Sequence, residues 1–215
     1  MTSPAHARVI YVYDAYCGWC YGFTPHLQRA LAERPHLSVE VISGGLFTGT
    51  RRLPIREHTH IPTARHHVTR ATGAVFGPAF LTLLQQGDFV MDSHDAATGL
   101  AALRTQAPRK TLDFAHEISH AFYHDGMSLS DPTTYTTLAT RHGLDPDMAA
   151  TALTDPAHRE QAQAEFTRTR SLGITAFPTV LLDAGSGPRL LPVTASDRDP
   201  GHHLDTALAH THTPR

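Results

Sequence analysis

The chain has 215 residues, 40% of them hydrophobic and 18% charged, with a formal net charge of -2. That length buries a substantial core without help from a disulfide, and the near-neutral balance argues against disorder and against an electrostatic grip on nucleic acid. No apolar run is long enough to span a bilayer, and MTSPAHARVIYVYDAYC reaches too short an apolar stretch for a secretory signal, so a cytoplasmic protein without membrane contact is expected.

Residues 8–13, RVIYVY, are β-branched and aromatic and predict a buried strand that ends before Asp14. Both cysteines follow at once, Cys17 and Cys20 of YDAYCGWCYGF. From Tyr21 onward, Phe23, Leu27 and Leu31 fall at helical spacing until Pro35 stops the helix, which puts Cys17 at its N-terminus. LSVEVISGGL alternates through Val39 and Val41 and predicts a second strand closing at Gly44-Gly45. Residues 56–172 carry helical patterns and little strand signal. Asp131-Pro132, Asp145-Pro146 and Asp155-Pro156 each mark a helix start, because Asp accepts from free amides and Pro has no N–H to leave unpaired. Ser93 is placed as cap of HDAATGLAALRTQ, and Gly126 and Gly143 sit where helices should end. Strand character returns at 178–183, PTVLLD, and at 188–193, PRLLPV, joined by the Gly185-Ser186-Gly187 turn, and Asp199-Pro200 opens a last helix. Without its helical block the order is βαβ-ββα.

A cytosol keeps ordinary thiols reduced, so a C-x-x-C there points to catalysis, redox sensing or metal binding before a structural staple. At a helix start the dipole and free amides favour a thiolate at the first cysteine, and the second, one turn on, can attack the mixed disulfide that forms. Cys17 is thus the candidate nucleophile and Cys20 the resolving thiol. Gly18 permits close approach of a substrate chain, and Trp19 offers an apolar lip. A zinc site would need two more ligands, such as His60 and His66 among 17 histidines. A staple closing so short a loop would restrict the unfolded chain very little.

YDAYCGWCYGF taken with the distant GITAFPTVLL, 173–182, resembles the DsbA-like thioredoxin-fold oxidoreductases, particularly their FrnE-like cytosolic branch. GDFVMDSHDAATGLAAL and AFYHDGMSLSDPTTYTTLATRHGLD look like that family's helical insert. The resemblance implies an α/β thioredoxin fold over residues 1–55 plus 173–215, interrupted by an inserted α-helical domain over 56–172. It places Cys17 and Cys20 on the redox pair and Pro178 on a cis-proline facing them, with the backbone of Phe177 exposed to pair with an extended substrate. It implies a protein disulfide oxidoreductase or isomerase acting on protein or peptide thiols and disulfides. Its small redox partner would be glutathione or a thioredoxin system, and it would need no cofactor beyond the Cys17–Cys20 disulfide and no metal. Gly18-Trp19 departs from the Pro-His pair of the periplasmic members, and Phe177 is bulkier than the β-branched residue usual before that proline. The rivals are a kappa-type glutathione-linked isomerase or transferase, against which an intact Cys17 counts, and a non-catalytic redox sensor or zinc-binding protein.

HEISH, 116–120, spells the H-E-x-x-H of zinc hydrolases, with Glu117 as the general base. Phe114, Ile118 and Phe122 mark the packed stripe of that helix, so Asp113, Glu117, His120 and His124 are expected on a solvated side. The clusters His58/His60, His66/His67, His202/His203 and His210/His212 read as surface groups. Asp14 and Glu40 read as a turn residue and a solvent-facing strand residue before charges tuning the redox pair, and Arg51 and Arg52 as a solvated basic turn before an anion site.

Overall fold

A computed structural model describes residues 7–211. Strand β1 (Arg8–Tyr13) lies inside a four-stranded sheet, parallel to β2 (Ser38–Ser43) and antiparallel to β3 (Thr179–Asp183), which pairs in turn with the short β4 (Pro188–Leu190). A central strand covered on both faces needs apolar residues at every position, which is why RVIYVY does not alternate. Val9, Tyr11 and Tyr13 enter the main core, while Ile10 and Val12 meet Ile42 and Leu181 on the other face. This is the thioredoxin arrangement expected of βαβ-ββα.

Nine helices are described: α1 (Gly18–Ala32), α2 (Ile61–Thr72), α3 (Pro78–Gln86), α4 (Ser93–Gln106), α5 (Thr111–Tyr123), α6 (Pro132–Arg141), α7 (Pro146–Ala150), α8 (Pro156–Ser171) and α9 (Gly201–Thr211). Helix α1 starts three residues before the expected Tyr21, with Cys17 itself as N-cap. All three Asp-Pro pairs cap as their chemistry dictates: Asp131, Asp145 and Asp155 accept from the amides of Thr133, Asp147 and Ala157 at 2.9, 2.9 and 2.8 Å. At α4 the cap is Asp92, not Ser93; its carboxylate takes the His94 amide at 2.9 Å, because Ser93 Oγ is engaged elsewhere. The last two strands and the final helix fall within a few residues of expectation.

The helices between β2 and β3 share one apolar core with the sheet. Phe23 and Leu27 of α1 belong to the same buried cluster as Leu100 of α4 and Phe114, Ile118 and Phe122 of α5. Helices α4 and α8 also close the outer edge of β2. Arg104 donates to the Val41 carbonyl at 3.2 Å, Glu165 accepts from the Ser43 amide at 2.8 Å, and Thr169 donates to the Ser43 carbonyl at 3.1 Å. Arg104 and Glu165 are themselves paired.

Candidate active site

Strand β1 ends at Tyr13 and the chain turns through Asp14, whose carbonyl accepts the Cys17 amide at 3.0 Å. That turn delivers Cys17 to the first position before α1, in extended backbone with φ -88° and ψ 110°. Its side chain is almost covered, yet it lines a cleft of about 160 Å³ shared with Trp19, His60, Arg65, Phe76 and Tyr123. Cys20 is fully buried one turn in, and both thiols are free. The Cys20 thiol is held well above its ordinary value, first by burial and then by hydrogen bonding to, and the charge of, Cys17.

Opposite them, the loop before β3 brings in the distant segment. The Phe177–Pro178 bond is cis, as the resemblance implies, and the Cys17 thiol donates to the Phe177 carbonyl at 3.5 Å. Cys17, the cap of the helix that carries Gly18, Trp19 and Cys20, is thus in contact with Phe177, the residue joined to Pro178, and Cys17, Gly18 and Trp19 line the same cleft. A Cβ on Gly18 would sit at ordinary contact, 3.7 Å from Tyr123 Oη and 3.8 Å from Phe76, so its absence widens the cleft rather than avoiding a clash.

Gly44, just past β2, is different: a Cβ there would overlap the Phe177 ring. Gly44→Ala is therefore expected to cost about 1–3 kcal/mol of stability by overpacking, and much less in a Phe177→Ala background, where the ring is gone. Denaturant midpoints of the four proteins check this; equal costs in both backgrounds would mean that Gly44 does not seat Phe177.

Asp14 corrects the reading of a plain turn residue. It is buried, and its carboxylate accepts from the Leu46 amide at 2.7 Å, the Tyr16 amide at 3.0 Å and Ser93 Oγ at 3.0 Å. Burial raises its proton affinity above the ordinary carboxylate range, and these hydrogen bonds oppose that rise. It joins the turn before α1 to the segment after β2 and to the start of α4. Glu40 has another role, pairing with Arg8 at 3.1 Å and with Arg168. Arg51 and Arg52 are exposed, as expected, and Arg52 also reaches Asp92 at 2.7 Å. A roomier hollow of about 480 Å³ is walled by Arg8, Glu40, Arg104, Glu165 and Arg168, charges already paired with one another.

Tyr123 of α5 was missed from the sequence. It is buried, and its hydroxyl donates to the Tyr16 carbonyl beside Cys17. No local pattern marks it, since only the packing of α5 on α1 brings it there. The same packing corrects part of the expected solvated side of α5: Asp113 is exposed, but Glu117, His120 and His124 are half-buried, as is His116. The His116 ring stacks on Tyr21 with centroids 6.3 Å apart and His120 meets Tyr21 edge-on at the same separation. The rings of the H-E-x-x-H pair stand 6.1 Å apart, and among the described residues no convergent set of three possible metal ligands includes His116. Other histidines assigned to the surface are also engaged: His58 packs edge-on against Phe47 at 4.8 Å and His203 pairs with Asp197 at 3.0 Å. His212 lies outside the described residues. Among the described residues, no convergent set of three possible metal ligands includes Cys17 or Cys20.

The model of one protein family, described as the DSBA-like thioredoxin domain, matches residues 8–209. A disulfide bond formation protein of Brevibacillus choshinensis is 29% identical over 109 residues, 51% of this chain and 77% of that protein. Among solved structures, the cytosolic disulfide reductase DsbM of Pseudomonas aeruginosa superposes with a TM-score of 0.80 at 23% identity, covering 94% of this chain and 99% of that one. The same protein solved with GSH gives 0.78 at 24% identity, over 94% and 99%. At these identities the structural likenesses show the fold.

Proposed function

The chain belongs to the family of DSBA-like thioredoxin domains, the disulfide oxidoreductases, and from that premise we propose that it exchanges disulfides with protein or peptide substrates through Cys17 and Cys20. The carrying observation is the Cys17 thiol at an α1 N-terminus, 3.5 Å from the Phe177 carbonyl. The Cys17 thiolate attacks one sulfur of a substrate disulfide; a Cys17–substrate disulfide forms and the other substrate sulfur leaves as a thiolate. Cys20 then gives up its proton and attacks Cys17 Sγ, which releases the second substrate thiol and leaves a Cys17–Cys20 disulfide. Two electrons have passed to the substrate. Two small thiols restore the dithiol and emerge as their own disulfide; run backwards, the same steps oxidise or rearrange a client.

The partner half of the reading rests on the cleft beside Cys17. Arg65 lines it, and its Nε is buried with no partner among the described residues. A carboxylate-bearing thiol such as glutathione suits that site, and the likeness to a reductase solved with GSH agrees. Gly18, Trp19, Phe177 and Pro178 would border an extended client. No described helix is long and apolar enough to cross a membrane, and we place the protein in the reducing cytoplasm, where the dithiol form would predominate. No metal or further cofactor enters these steps.

An equilibrium titration against glutathione or dithiothreitol, read by alkylation and mass at Cys17 and Cys20, tests the proposal. A reversible two-electron transition between about -120 and -270 mV is expected, and its position tells reductant from oxidant. A potential below about -300 mV would make the pair a structural disulfide and sink the reading.

A further inference from the structure

Helix α5 ends at Tyr123, and the chain then curls instead of continuing. The Gly126 amide bonds the Phe122 carbonyl at 3.1 Å and the Met127 amide bonds the Ala121 carbonyl at 2.8 Å, with Gly126 in the left-handed region at φ 67°. This is a glycine-closed helix end. Its consequence is chemical, because the curl carries Asp125 back beside the last turn. His120 and His124 stand four residues apart, their rings stacked with centroids 4.5 Å apart. His124 Nδ1 lies 2.9 Å from Asp125 Oδ1, and His120 Nδ1 lies 3.7 Å from Asp125 Oδ2.

We propose that His120, His124 and Asp125 form a binding site for a borderline divalent transition-metal ion of the Zn²⁺ type. One ligand atom from each lies within 4.8 Å of the other two. Ligands at ordinary zinc distances in a tetrahedron stand about 3.3 Å apart; the two histidines face different oxygens of Asp125, Oδ1 at 2.9 Å and Oδ2 at 3.7 Å, so side-chain rotation would draw the three ligand atoms, already within 4.8 Å, onto one ion. Two imidazoles and one carboxylate select against Ca²⁺ and Mg²⁺, which want oxygen throughout. Three protein ligands leave a fourth position for water. It opens on a cleft of about 470 Å³ between α1, α2 and α5, lined by His26, His116, His120 and His124. The ligands are partly exposed, at 35%, 43% and 27%, so an ion can reach them in the folded protein. Arg141, itself exposed, stands 3.8 Å from Asp125 Oδ2, and a bound dication would displace it.

This site differs from the zinc hydrolase that HEISH suggests. His116 stacks on Tyr21 and is not part of the group, and Asp125 from the curl takes the third place beside His120 and His124. The ion would pin the end of α5, whose last residue, Tyr123, holds the Tyr16 carbonyl beside Cys17. Its role is thus to brace the redox turn, without touching the reacting sulfurs.

The test is a Zn²⁺ titration of the full chain carrying Cys17→Ser and Cys20→Ser, so that no thiolate competes, using a chromophoric chelator as competitor. One equivalent is expected to bind; His120→Gln or His124→Gln should weaken it at least tenfold and Asp125→Asn several-fold, while His202→Gln/His203→Gln leaves it unchanged. Co²⁺ in place of Zn²⁺ should show the visible bands of a four-coordinate ion, lost in His124→Gln. Circular dichroism of each variant guards against misfolding, and Asp125→Asn, the mildest change, stands in should a histidine variant unfold. Binding that survives the His120 and His124 variants, or that never reaches a discrete one-to-one stoichiometry, would overturn the site and leave only diffuse capture by surface histidines.

Discussion

The Cys17→Ser protein is expected to exchange disulfides no faster than the free thiols in the assay, a fall of about a thousandfold or more, since the nucleophile carries the whole sequence of steps. Cys20→Ser should behave differently. Cys17 keeps its place at the α1 N-terminus and its contact with the Phe177 carbonyl, so attack continues while release fails, and a protein–substrate mixed disulfide should accumulate to nearly one per chain. Insulin reduction follows the first effect, and mass spectrometry of a trapped peptide follows the second. The pair of variants also separates the rivals. A kappa-type enzyme working through a hydroxyl would keep its small-molecule conversion with serine at 17. A sensor without turnover would give neither the fall nor the trapped adduct. Full reductase or isomerase activity in Cys17→Ser would end the proposal.

Replacing Asp14 by alanine should produce the largest loss of stability of any single change near the site. Three donors, the buried Tyr16 amide and Ser93 Oγ and the partly buried Leu46 amide, lose their acceptor together. Each orphaned donor costs about 1–3 kcal/mol, offset in part because the carboxylate was itself expensive to bury, so a net loss of about 2–4 kcal/mol follows. The pH dependence gives the sign. Folded Asp14 keeps its proton to higher pH than the unfolded chain does, because burial raises its pKa from 3.8. Between those two values the native state binds more protons, so Asp14's contribution is fully present below the unfolded value and falls as pH rises through the folded one. The gap between wild type and Asp14→Ala should thus be widest in acid and narrow as pH rises. Urea midpoints across that range measure it. A gap that widened with pH would mean that the hydrogen bonds outweigh burial and that the folded carboxylate is a stronger acid than the free one.

Much of this was legible where the physics is local. RVIYVY announces a strand buried on both faces, the Asp-Pro pairs cap where a hydroxyl-free acceptor and a ring without an N–H must, and the spacing of Cys17 and Cys20 fits one turn of α1. What stayed hidden depends on contacts between distant segments. Ser93 looks like a cap, but it is spent on Asp14 and on the Phe47 amide at 2.9 Å, so Asp92 caps instead. Asp14 has the composition of a turn; only the approach of Leu46 and Ser93 makes it a buried hub. Periodicity divides α5 into apolar and polar sides, but α1 covers part of the polar side too, through Tyr21 against His116 and His120. Tyr123 and Asp125, one on each side of that helix end, carried no signal at all.

The closed edge of β2 bears on self-association. An open sheet edge would invite a neighbouring strand, or a second copy, to add on and grow. Here Arg104, Glu165 and Thr169 occupy outward-facing backbone groups at the C-terminal half of β2. The opposite edge, β4, is only three residues long and opens with Pro188. Neither margin of the sheet thus offers a long free ladder to another strand, and α4 and α8 double as a guard against fibrous aggregation.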